Sequence, residues 1–393
     1  MKKVDVLIIG AGASGLMCAI EAGKRKRKVL VVDHANKAGK KILMSGGGRC
    51  NFTNYDVSSE NYKSSNPHFC KSALSRFTQW DFIDMVCRHN IPYHERDHGQ
   101  LFCNDSAKDI LNMLLEECKN VSVNVQLKTS VEKIEQRADN HFVVKTNNET
   151  IECHSLVIAS GGLSIPKMCA TPFGYRVAEQ FAINIIPTSA GLVPFTLQPK
   201  DKDRFVELSG IAIDSLVSNS QISFRENILF THRGLSGPAI LQISSYWKPG
   251  EEIKVNLLPD HDLSSDLMDL NKNHTKKKLK TFLVQLLPKR VVETLVNQEL
   301  LELSIVDISH KQIEIVANNL HKWIIKPNGT EGYRTAEVTL GGIDCNQISS
   351  KTMEANDVKG LFFVGEVLDV TGWLGGYNFQ WAWSSGWCAG QYV

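Results

Sequence analysis

Residues 4–15 read Val-Asp-Val-Leu-Ile-Ile-Gly-Ala-Gly-Ala-Ser-Gly, and they carry the strongest signal of fold class in the sequence. The apolar run Val4–Ile9 is rich in β-branched residues and predicts a buried strand. Three glycines then follow in the spacing GxGxxG and open a helical pattern that extends to Lys24. A second apolar run, Val29–Val32, ends at Asp33. Strand, tight turn, helix and strand in this order predict the βαβ unit of a parallel sheet.

The spacing of the three glycines is typical of a turn that binds a dinucleotide. Gly10 permits the tight turn, Gly12 lets the backbone approach a pyrophosphate, and Gly15 allows close packing of helix on strand. The start of the helix directs partial positive charge at the phosphates. Asp33 can accept hydrogen bonds from the ribose hydroxyls of an adenosine. An ordinary glycine turn is the alternative, and the strand–helix–Asp33 context argues against it.

A glycine-rich stretch near the C-terminus favours FAD over NAD. The apolar strand Leu361–Val364 runs into Gly365, Glu366 and then Asp369. The following tail, Gly372–Asn378, begins a helix whose backbone N–H groups can face the pyrimidine edge of a flavin, where negative charge develops on reduction. A surface turn at Gly365 and Glu366 is the alternative, but it leaves the glycine-rich tail unexplained.

The composition excludes several classes of protein. A net charge of +2 over 393 residues does not by itself indicate a nucleic-acid partner. No apolar run is long enough to span a bilayer, and Val4–Ile9 is too short for a secretory signal. Ten cysteines lie at least fifteen residues apart, which excludes CxxC redox pairs and zinc sites built on CxxC. We therefore expect a cytoplasmic protein with reduced thiols, without a metal and without a membrane partner.

The remaining patterns predict three domains. Helical patterns cover 67–77, 78–90 and 106–119, with Thr78 and Ser106 as N-caps, and separate strand patterns include 150–153 and 155–159. Short strands and turns fill 192–258, and a basic helical stretch runs from 263 to 323. The predicted domains are a discontinuous nucleotide-binding domain at 1–190 and 340–393, a β-rich domain at 191–258 and 324–339, and a small helical domain at 259–323.

Longer motifs carry a resemblance to a known family. They are Gly39–Asn54 (GKKILMSGGGRCNFTN), Phe230–Pro238 (FTHRGLSGP), Ala336–Gly342 (AEVTLGG) and the tail Gly365–Asn378. Over essentially the whole chain, the sequence resembles the bacterial BaiN/RdsA-type NAD(P)/FAD-dependent oxidoreductases. The resemblance implies an α/β fold with a discontinuous Rossmann-like FAD-binding domain, an inserted β-barrel-like domain and a small helical domain.

Two further segments, Pro172–Tyr175 and Asn328–Arg334, are most similar to the proteobacterial branch of that family. This branch is associated with making dihydrouridine in large-subunit ribosomal RNA. Other branches are linked to reduction of enone double bonds in steroid-like molecules, and the family also carries an aminoacetone-oxidase label. Pro172–Gly174 departs from the Thr/Gly-Asp-Gly spelling common in those other branches, so their substrates are not carried over.

The resemblance thus implies an FAD-dependent reductase of uridine in ribosomal RNA. Reduction or oxidation of a small molecule, such as an enone or an amine, is the first alternative. A non-catalytic flavin-bound factor that assists ribosome assembly is the second. A second dinucleotide fingerprint is not evident, so NAD(P)H would visit the flavin only transiently, or another reductant would serve.

The predicted flavin site draws on the whole discontinuous domain. The loop Ser45–Asn54 is expected to form the flavin face, because its glycines allow backbone close to a flat ring. The predicted cofactor-binding residues are Gly10, Gly12, Ala13, Ser14, Gly15, Asp33, His34, Lys40, Ser45, Gly46, Gly47, Gly48, Arg49, Val131, Ser160, Gly161, Gly365, Glu366, Asp369, Gly376, Tyr377, Asn378 and Phe379.

Three residues are catalytic candidates. Arg49 can stabilise an enolate-like oxygen or bind phosphate. Cys50 can donate a proton if its surroundings tune its pKa, or it can be a small buried thiol that shapes the loop. His232 is a second candidate proton donor, with a structural hydrogen bond as the alternative. Tyr377 can stack on a ring or merely pack.

Two basic runs are candidate contacts for RNA phosphates. Lys24–Lys28 ends the first helical pattern, where cations suit both the helix dipole and solvent. Lys276, Lys277, Lys278 and Lys280 start another helical pattern, where cations are slightly unfavourable, and this makes the second cluster the better candidate. A solvated face is the alternative for both.

Overall fold

The computed structural model describes the chain from Met1 to Val393. It divides into two compact units, Met1–Ser189 with Val338–Val393, and Ala190–Glu337. The first unit begins and ends within two residues of the predicted nucleotide-binding domain. The second contains both the predicted β-rich segment and the predicted helical segment, and their separation into two domains stays a prediction.

The structure contains 21 strands and 14 α-helices, numbered in chain order. The strands are β1 (Lys2–Ile9), β2 (Val29–Val32), β3 (Asn51–Asn54), β4 (Tyr62–Lys63), β5 (Tyr93–Arg96), β6 (Gln100–Cys103), β7 (Asn124–Gln126), β8 (Val131–Gln136), β9 (Phe142–Thr146), β10 (Thr150–Ile158), β11 (Ile185–Gly191), β12 (Phe195–Thr196), β13 (Ala212–Ser218), β14 (Ser223–Phe230), β15 (Gly234–Ser236), β16 (Ile253–Asn256), β17 (Trp323–Ile325), β18 (Gly329–Thr330), β19 (Val338–Ile343), β20 (Leu361–Phe363) and β21 (Thr371–Gly372). The helices are α1 (Ala13–Lys24), α2 (Lys40–Met44), α3 (Phe69–Arg76), α4 (Gln79–Arg88), α5 (Ala107–Asn120), α6 (Phe173–Gln180), α7 (Pro199–Phe205), α8 (Pro238–Ser244), α9 (Leu263–Lys272), α10 (Leu279–Leu283), α11 (Lys289–Leu295), α12 (Gln298–Glu302), α13 (His310–His321) and α14 (Tyr377–Gly390).

The first unit is built on a seven-stranded sheet with the order β7-β2-β1-β10-β9-β8, and β20 pairs with β10. The pairings β1–β2, β1–β10, β2–β7 and β10–β20 are parallel, whereas β9 runs antiparallel to β8 and β10. The strands β2 and β20 are buried at every residue, as expected where helices or loops cover both faces of a parallel sheet. The predicted βαβ opening and parallel sheet are therefore confirmed.

The two predicted strands at 150–153 and 155–159 are one continuous strand, β10, so their separation was wrong. The first half of β10 pairs with β9 and the second half pairs with β20. Along the other edge β1 pairs with both halves, from Ile151 to Ile158, so the strand passes through His154 without a break although that residue is exposed.

The helix α14 completes the core of the first unit. Eleven of its 14 residues are buried, which is typical of a helix covered all round. It packs closely on α1, because a side chain added at Gly386 would come within 2.3 Å of the Ser14 carbonyl oxygen. The predicted start near Asn378 is confirmed to within one residue.

The glycine-rich stretch Gly39–Asn54 is more ordered than the predicted loop. It contains α2, a short 3-10 turn over Ser45–Gly48, and β3. The strand β3 joins β6 and β5 in a three-stranded antiparallel sheet with the order β3-β6-β5. The two predicted N-caps are confirmed, because Thr78 and Ser106 both form capping boxes at the starts of α4 and α5.

The second unit contains a seven-stranded antiparallel sheet with the order β17-β16-β13-β14-β15-β12-β18, and the helices α7–α13. The strands β17 and β18 stand at the two ends of this order, and a closed barrel needs its end strands to pair. The barrel-like closure therefore stays a prediction. The predicted helical stretch ended at Trp323, but that residue begins β17, where it pairs with Val255. None of the 14 helices combines the length and the apolar character needed to cross a membrane.

Candidate cofactor site

The turn between β1 and α1 has the geometry that the glycine spacing predicts. Gly10 has a φ of +119°, and a side chain there would come within 2.2 Å of the Ala159 carbonyl oxygen. A side chain at Gly15 would come within 2.0 Å of the Gly10 carbonyl oxygen. A side chain at Gly12 would meet nothing within 4 Å. The turn is therefore closed on its inner side and open at Gly12, where a pyrophosphate can approach.

The start of α1 offers free backbone donors at this opening. Its N-cap is Gly12, and no side chain caps it. The first helical N–H groups, which belong to Ala13 and Ser14, have no partner within the helix, as in any α-helix. Ser14 is buried, and its hydroxyl donates to the Val364 carbonyl oxygen at 3.4 Å. The arrangement suits a bound phosphate.

Asp33 fixes the same turn from the end of β2. Its Oδ2 accepts from the backbone N–H of Ala11 and its Oδ1 from that of Ala35, each at 2.8 Å. A carboxylate oxygen can accept more than one hydrogen bond, so each oxygen keeps capacity for a ribose hydroxyl. The Asp33 carbonyl oxygen accepts from the N–H of Thr129 at 2.8 Å, and this contact places Val131 just beyond, at the start of β8.

His34 and Lys40 both contact the segment that follows β10. The Nε2 atom of His34 lies 3.1 Å from the carbonyl oxygen of Cys169, and the Lys40 ammonium donates to the Cys169 sulfur at 3.0 Å. Ser160 and Gly161 lie at the beginning of that segment. The Ser160 Oγ is buried without a hydrogen-bond partner, and Gly161 adopts a φ of +70°.

Glu366 lies at the centre of a polar network. Its Oε2 accepts from the Lys41 ammonium at 2.7 Å, and its Oε1 accepts from the Ser164 hydroxyl and from the Thr339 N–H, both at 3.0 Å. The Lys41 ammonium also donates to the Ser164 hydroxyl at 2.7 Å. The network joins α2, the segment after β10, β19 and the turn after β20. Sequence reasoning missed Lys41, Ser164 and Thr339, although Lys41 and Thr339 stand inside the quoted motifs.

Hydrogen bonds and close backbone packing fix the tail Gly372–Asn378. The Asn378 side chain accepts from the Gly372 N–H at 2.8 Å and donates to the Gly372 carbonyl oxygen at 2.9 Å. Gly376 caps α14 with a φ of +96°, and a side chain there would come within 2.3 Å of the Thr53 carbonyl oxygen. The α14 N-terminus therefore approaches β3 as closely as backbone allows, and no side chain caps it.

The other predicted residues of the tail make packing contacts. Tyr377 is buried, and its ring meets that of Tyr62 edge-on. Phe379 stacks on Trp383 with ring centroids 5.6 Å apart. Asp369 is 5% exposed, and its Oδ2 accepts from the Ser65 N–H at 2.7 Å. Direct contacts of these three with a cofactor stay predictions.

The glycine loop presents open backbone. Ser45 closes α2 by donating from its hydroxyl to the Ile42 carbonyl oxygen at 2.8 Å. Side chains at Gly47 and Gly48 would meet nothing within 4 Å, and Gly46, Gly47 and Gly48 all have positive φ. The loop can therefore accept a flat ring against its backbone.

Arg49 and Cys50, adjacent in sequence, differ completely in environment. The Arg49 side chain is exposed and makes neither a hydrogen bond nor an ion pair. Cys50 has no exposed surface, and burial raises the pKa of its thiol to about 12, although a hydrogen bond with Ser45 opposes the shift. The burial favours the structural interpretation of Cys50, in which the thiol shapes the loop.

His232 lies in the second unit, in the turn between β14 and β15. The turn is held by Thr231, whose N–H donates to the Gly234 carbonyl oxygen at 2.8 Å, and by an ion pair between Arg233 and Glu331. His232 itself is exposed and makes no hydrogen bond, so its interpretation as a structural hydrogen-bonding residue was wrong. Its catalytic role stays a prediction.

The residues of the first unit fit a bound dinucleotide such as FAD. Two uncapped helix N-termini, those of α1 and α14, supply backbone donors. The protein leaves open space beside Gly12, and the Ser160 hydroxyl is a buried polar group without a partner. Each of these features suits a ligand that carries phosphates and hydroxyl groups.

Comparison with known proteins assigns the family. The family described as "HI0933-like protein Rossmann domain" matches residues 4–392. The chain belongs to the HI0933-like family. The family resemblance and the Rossmann-like fold class predicted for this HI0933-like protein are thereby confirmed.

Three relatives align with the HI0933-like chain over nearly its whole length. A "Ribosomal RNA dihydrouridine synthase" of Escherichia coli (strain K12) is 54% identical over 397 residues, which cover 100% of this chain and 98% of the relative. The protein of the same name from Haemophilus influenzae (strain ATCC 51907 / DSM 11121 / KW20 / Rd) is 50% identical, with 96% of each chain covered. A "3-dehydro-bile acid delta(4,6)-reductase" of Clostridium scindens (strain ATCC 35704 / DSM 5676 / VPI 13733 / 19) is 26% identical, with 98% and 97% covered. The HI0933-like protein is an oxidoreductase enzyme, as the sequence predicts.

Proposed function

We propose that this enzyme binds FAD and reduces uridine to dihydrouridine in large-subunit ribosomal RNA. The observation that carries the proposal is the 54% identity, over the full chain, to a protein named ribosomal RNA dihydrouridine synthase. The open turn at Gly12 and the free donors of α1 support the cofactor. NAD(P)H, visiting transiently, is the proposed reductant.

Residues of the first unit would hold the FAD. The N-terminus of α1 would bind the pyrophosphate and Asp33 the adenosine ribose. The segment around Ser160 and Gly161 and the open loop at Gly47 and Gly48 would line the rest of the cofactor. Glu366 accepts from Lys41, Ser164 and Thr339, so we infer that it positions these segments, and its own contact with the cofactor stays a proposal.

Reduction of uracil needs a hydride at C6, which reduced FAD supplies when bound, and a proton at C5. As the hydride arrives, negative charge develops on the uracil carbonyl oxygen conjugated with the reacting bond. An exposed, unpaired guanidinium such as that of Arg49 can stabilise this charge. Arg49 is therefore proposed as the electrostatic catalyst.

The proton at C5 must come from a group that can reach the substrate. Cys50 is fully buried and its thiol pKa is raised to about 12, so it is a poor candidate. His232, which lies in the second unit, is exposed and makes no hydrogen bond. His232 is retained as the proposed donor.

The decisive experiment measures dihydrouridine in large-subunit ribosomal RNA from cells with and without this protein, by mass spectrometry of nucleosides. The proposal expects dihydrouridine at one or more positions to disappear without the protein and to return when the purified FAD-loaded enzyme and NADPH are added to the extracted RNA. Unchanged dihydrouridine in the cells lacking the protein would reject the ribosomal substrate.

Reduction of a small molecule is the second candidate, supported by the 26% identity to the bile-acid reductase over nearly the full chain. An enone that reoxidises the reduced flavin faster than ribosomal RNA fragments do would favour it. A protein that binds the RNA but reoxidises with neither substrate would instead favour the non-catalytic assembly factor.

A further inference from the structure

One face of the sheet β3-β6-β5 lies against the glycine loop. At its centre, Phe102 of β6 pairs directly with Asn51 of β3 and with His94 of β5. The next pair on this face is Gln100 of β6 with Arg96 of β5. Directly paired residues project from the same face of a sheet. We name these five residues the hairpin face. The apolar residues between them, Phe52, Leu101 and Cys103, project from the opposite face and are completely buried.

The hairpin face continues into the proposed flavin-binding loop through Phe102. A side chain at Gly46 would come within 2.7 Å of the Phe102 ring, so ring and loop backbone are in close contact. The Arg96 guanidinium lies over the same ring, 4.4 Å from its centroid, and the His94 ring stacks on Phe102 with centroids 6.1 Å apart. Arg96 is thereby held above the ring that contacts Gly46.

Two arginines at this face lack a carboxylate partner. Arg96 is exposed, and its only polar contact is a donation from Nε to the Nε2 atom of His94 at 3.4 Å. Arg49 is exposed without any partner, and its carbonyl oxygen accepts from the Cys103 N–H at 3.0 Å, which ties it beside Phe102. The hairpin face contains no acidic residue, and Glu95 alternates to the other side of β5.

By contrast, the predicted phosphate contacts at the lysine cluster are largely engaged within the protein. Lys278 pairs with Glu302 and Lys280 pairs with Glu293, each at 2.6 Å. The Lys277 ammonium donates to the Gln285 side chain at 2.8 Å. Ion-paired lysines have less to gain from a phosphate than an arginine without a carboxylate partner such as Arg96, since the existing pair must be broken first.

We propose that Arg96, which lies beside the catalytic candidate Arg49, binds a backbone phosphate of the RNA strand that flanks the target uridine. The inference rests on the proposed function, because it assigns a contact surface to the same substrate. Arg96 lies over the Phe102 ring, and its fork of N–H donors matches the geometry of a phosphate. The contact is to the sugar–phosphate backbone and is therefore independent of the base sequence.

The test measures binding of a large-subunit ribosomal RNA fragment at several salt concentrations for the FAD-loaded parent, Arg96→Gln and Arg96→Lys. Each lost phosphate contact flattens the plot of log affinity against log salt by roughly 0.7 for a single strand. We expect that loss for Arg96→Gln, and a slope near that of the parent for Arg96→Lys. FAD content and the visible spectrum report whether each variant is intact.

Arg88→Gln is the matched control. Arg88 is an exposed arginine of the same unit, but it is ion-paired with Asp84 on α4 at 3.0 Å. We expect its salt slope to equal that of the parent. Equal slopes for parent, Arg88→Gln and Arg96→Gln would overturn the assignment of Arg96.

The same experiment distinguishes two other outcomes from RNA binding by Arg96. If Arg96→Gln keeps the parent's RNA slope but raises the NADPH concentration needed for half-maximal flavin reduction, the arginine binds the phosphate of that dinucleotide and the RNA assignment is wrong. If the parent itself neither binds the RNA fragment nor reduces its uridine, the proposed function fails, and this inference fails with it.

Discussion

The Asp33 carboxylate accepts a hydrogen bond from the backbone N–H of Ala11, 2.8 Å away, inside the glycine turn. The residue proposed to bind the ribose thus also holds the shape of the turn proposed to bind the pyrophosphate. If the proposal holds, loss of this side chain removes the ribose contact and also loosens the turn at the pyrophosphate.

We therefore expect Asp33→Ala to weaken FAD binding by about 1.5–3 kcal/mol, which raises the dissociation constant roughly 10- to 150-fold. Asp33→Asn keeps one oxygen acceptor and should lose less. Flavin fluorescence on dilution gives the dissociation constants, and circular dichroism checks that both variants are folded. Equal constants for parent and Asp33→Ala would remove Asp33 from the site.

Cys50→Ala is expected to retain FAD and to form product at nearly the parent's rate. The thiol is fully buried and has a pKa of about 12, so it stays protonated and inaccessible at neutral pH. The variant should lose only about 1 kcal/mol of stability, as for an average core substitution. Stopped-flow measurement separates flavin reduction from product formation, and slowing of the second step alone would return Cys50 to the catalytic residues.

The pair Lys41 and Glu366 should show measurable energetic coupling. Their side chains are 32% and 20% exposed and lie 2.7 Å apart, and both also contact Ser164. In a double-mutant cycle of Lys41→Met and Glu366→Gln, we expect a coupling of about 1 kcal/mol from thermal or urea unfolding. The pair Lys133 and Glu135, exposed on β8, provides a control cycle with little coupling. Equal coupling in both cycles would contradict the network's role.

His321 makes the stability of the second unit dependent on pH. Its Nε2 accepts from the Leu263 N–H and its Nδ1 lies 2.9 Å from the Asn256 Oδ1, an arrangement that suits the neutral ring. Burial lowers the pKa of His321, with Asp262 opposing the shift. The unfolded chain therefore binds this proton more tightly, so the stabilisation is complete above about pH 6.5 and declines as the pH falls.

We expect the free energy of unfolding to fall between pH 6.5 and 5 by at most about 1.4 kcal/mol per pH unit from this group. His321→Gln should lower stability at pH 7.5 and flatten the dependence. His310→Gln, at an exposed position on the same helix, should keep the parent's profile. Urea titrations at four pH values measure the free energy of unfolding of each protein. Parallel profiles for parent and His321→Gln would refute the assignment.

The sequence predicted best those features that depend on local patterns. The GxGxxG turn, the parallel strands and the N-caps Thr78 and Ser106 follow from spacing and residue type alone. Ser164 and Thr339 could not be found in this way. They meet Glu366 only after the chain has brought positions up to 202 residues apart into contact, and nothing local marks them.

The charges illustrate the same limit. A run of lysines at 276–280 predicts a free basic surface, but Glu293 and Glu302, which neutralise two of them, come from the later helices α11 and α12. Arg96 stands beside Glu95 in the sequence and gives no signal. Its exposure without a carboxylate partner arises because the strand turns Glu95 to the opposite face.

The packing of α14 on α1 constrains how the protein can be made. The Ser14 hydroxyl and the Val364 carbonyl oxygen that it contacts are 350 residues apart, and β20 enters the sheet beside β10 only after nearly the whole chain has been translated. The first βαβ unit emerges early from the ribosome, yet the proposed cofactor site lacks β20 and α14 until the end of the chain arrives. Nascent chains that stop before β20 should therefore be colourless, and flavin loading should follow translation rather than accompany it.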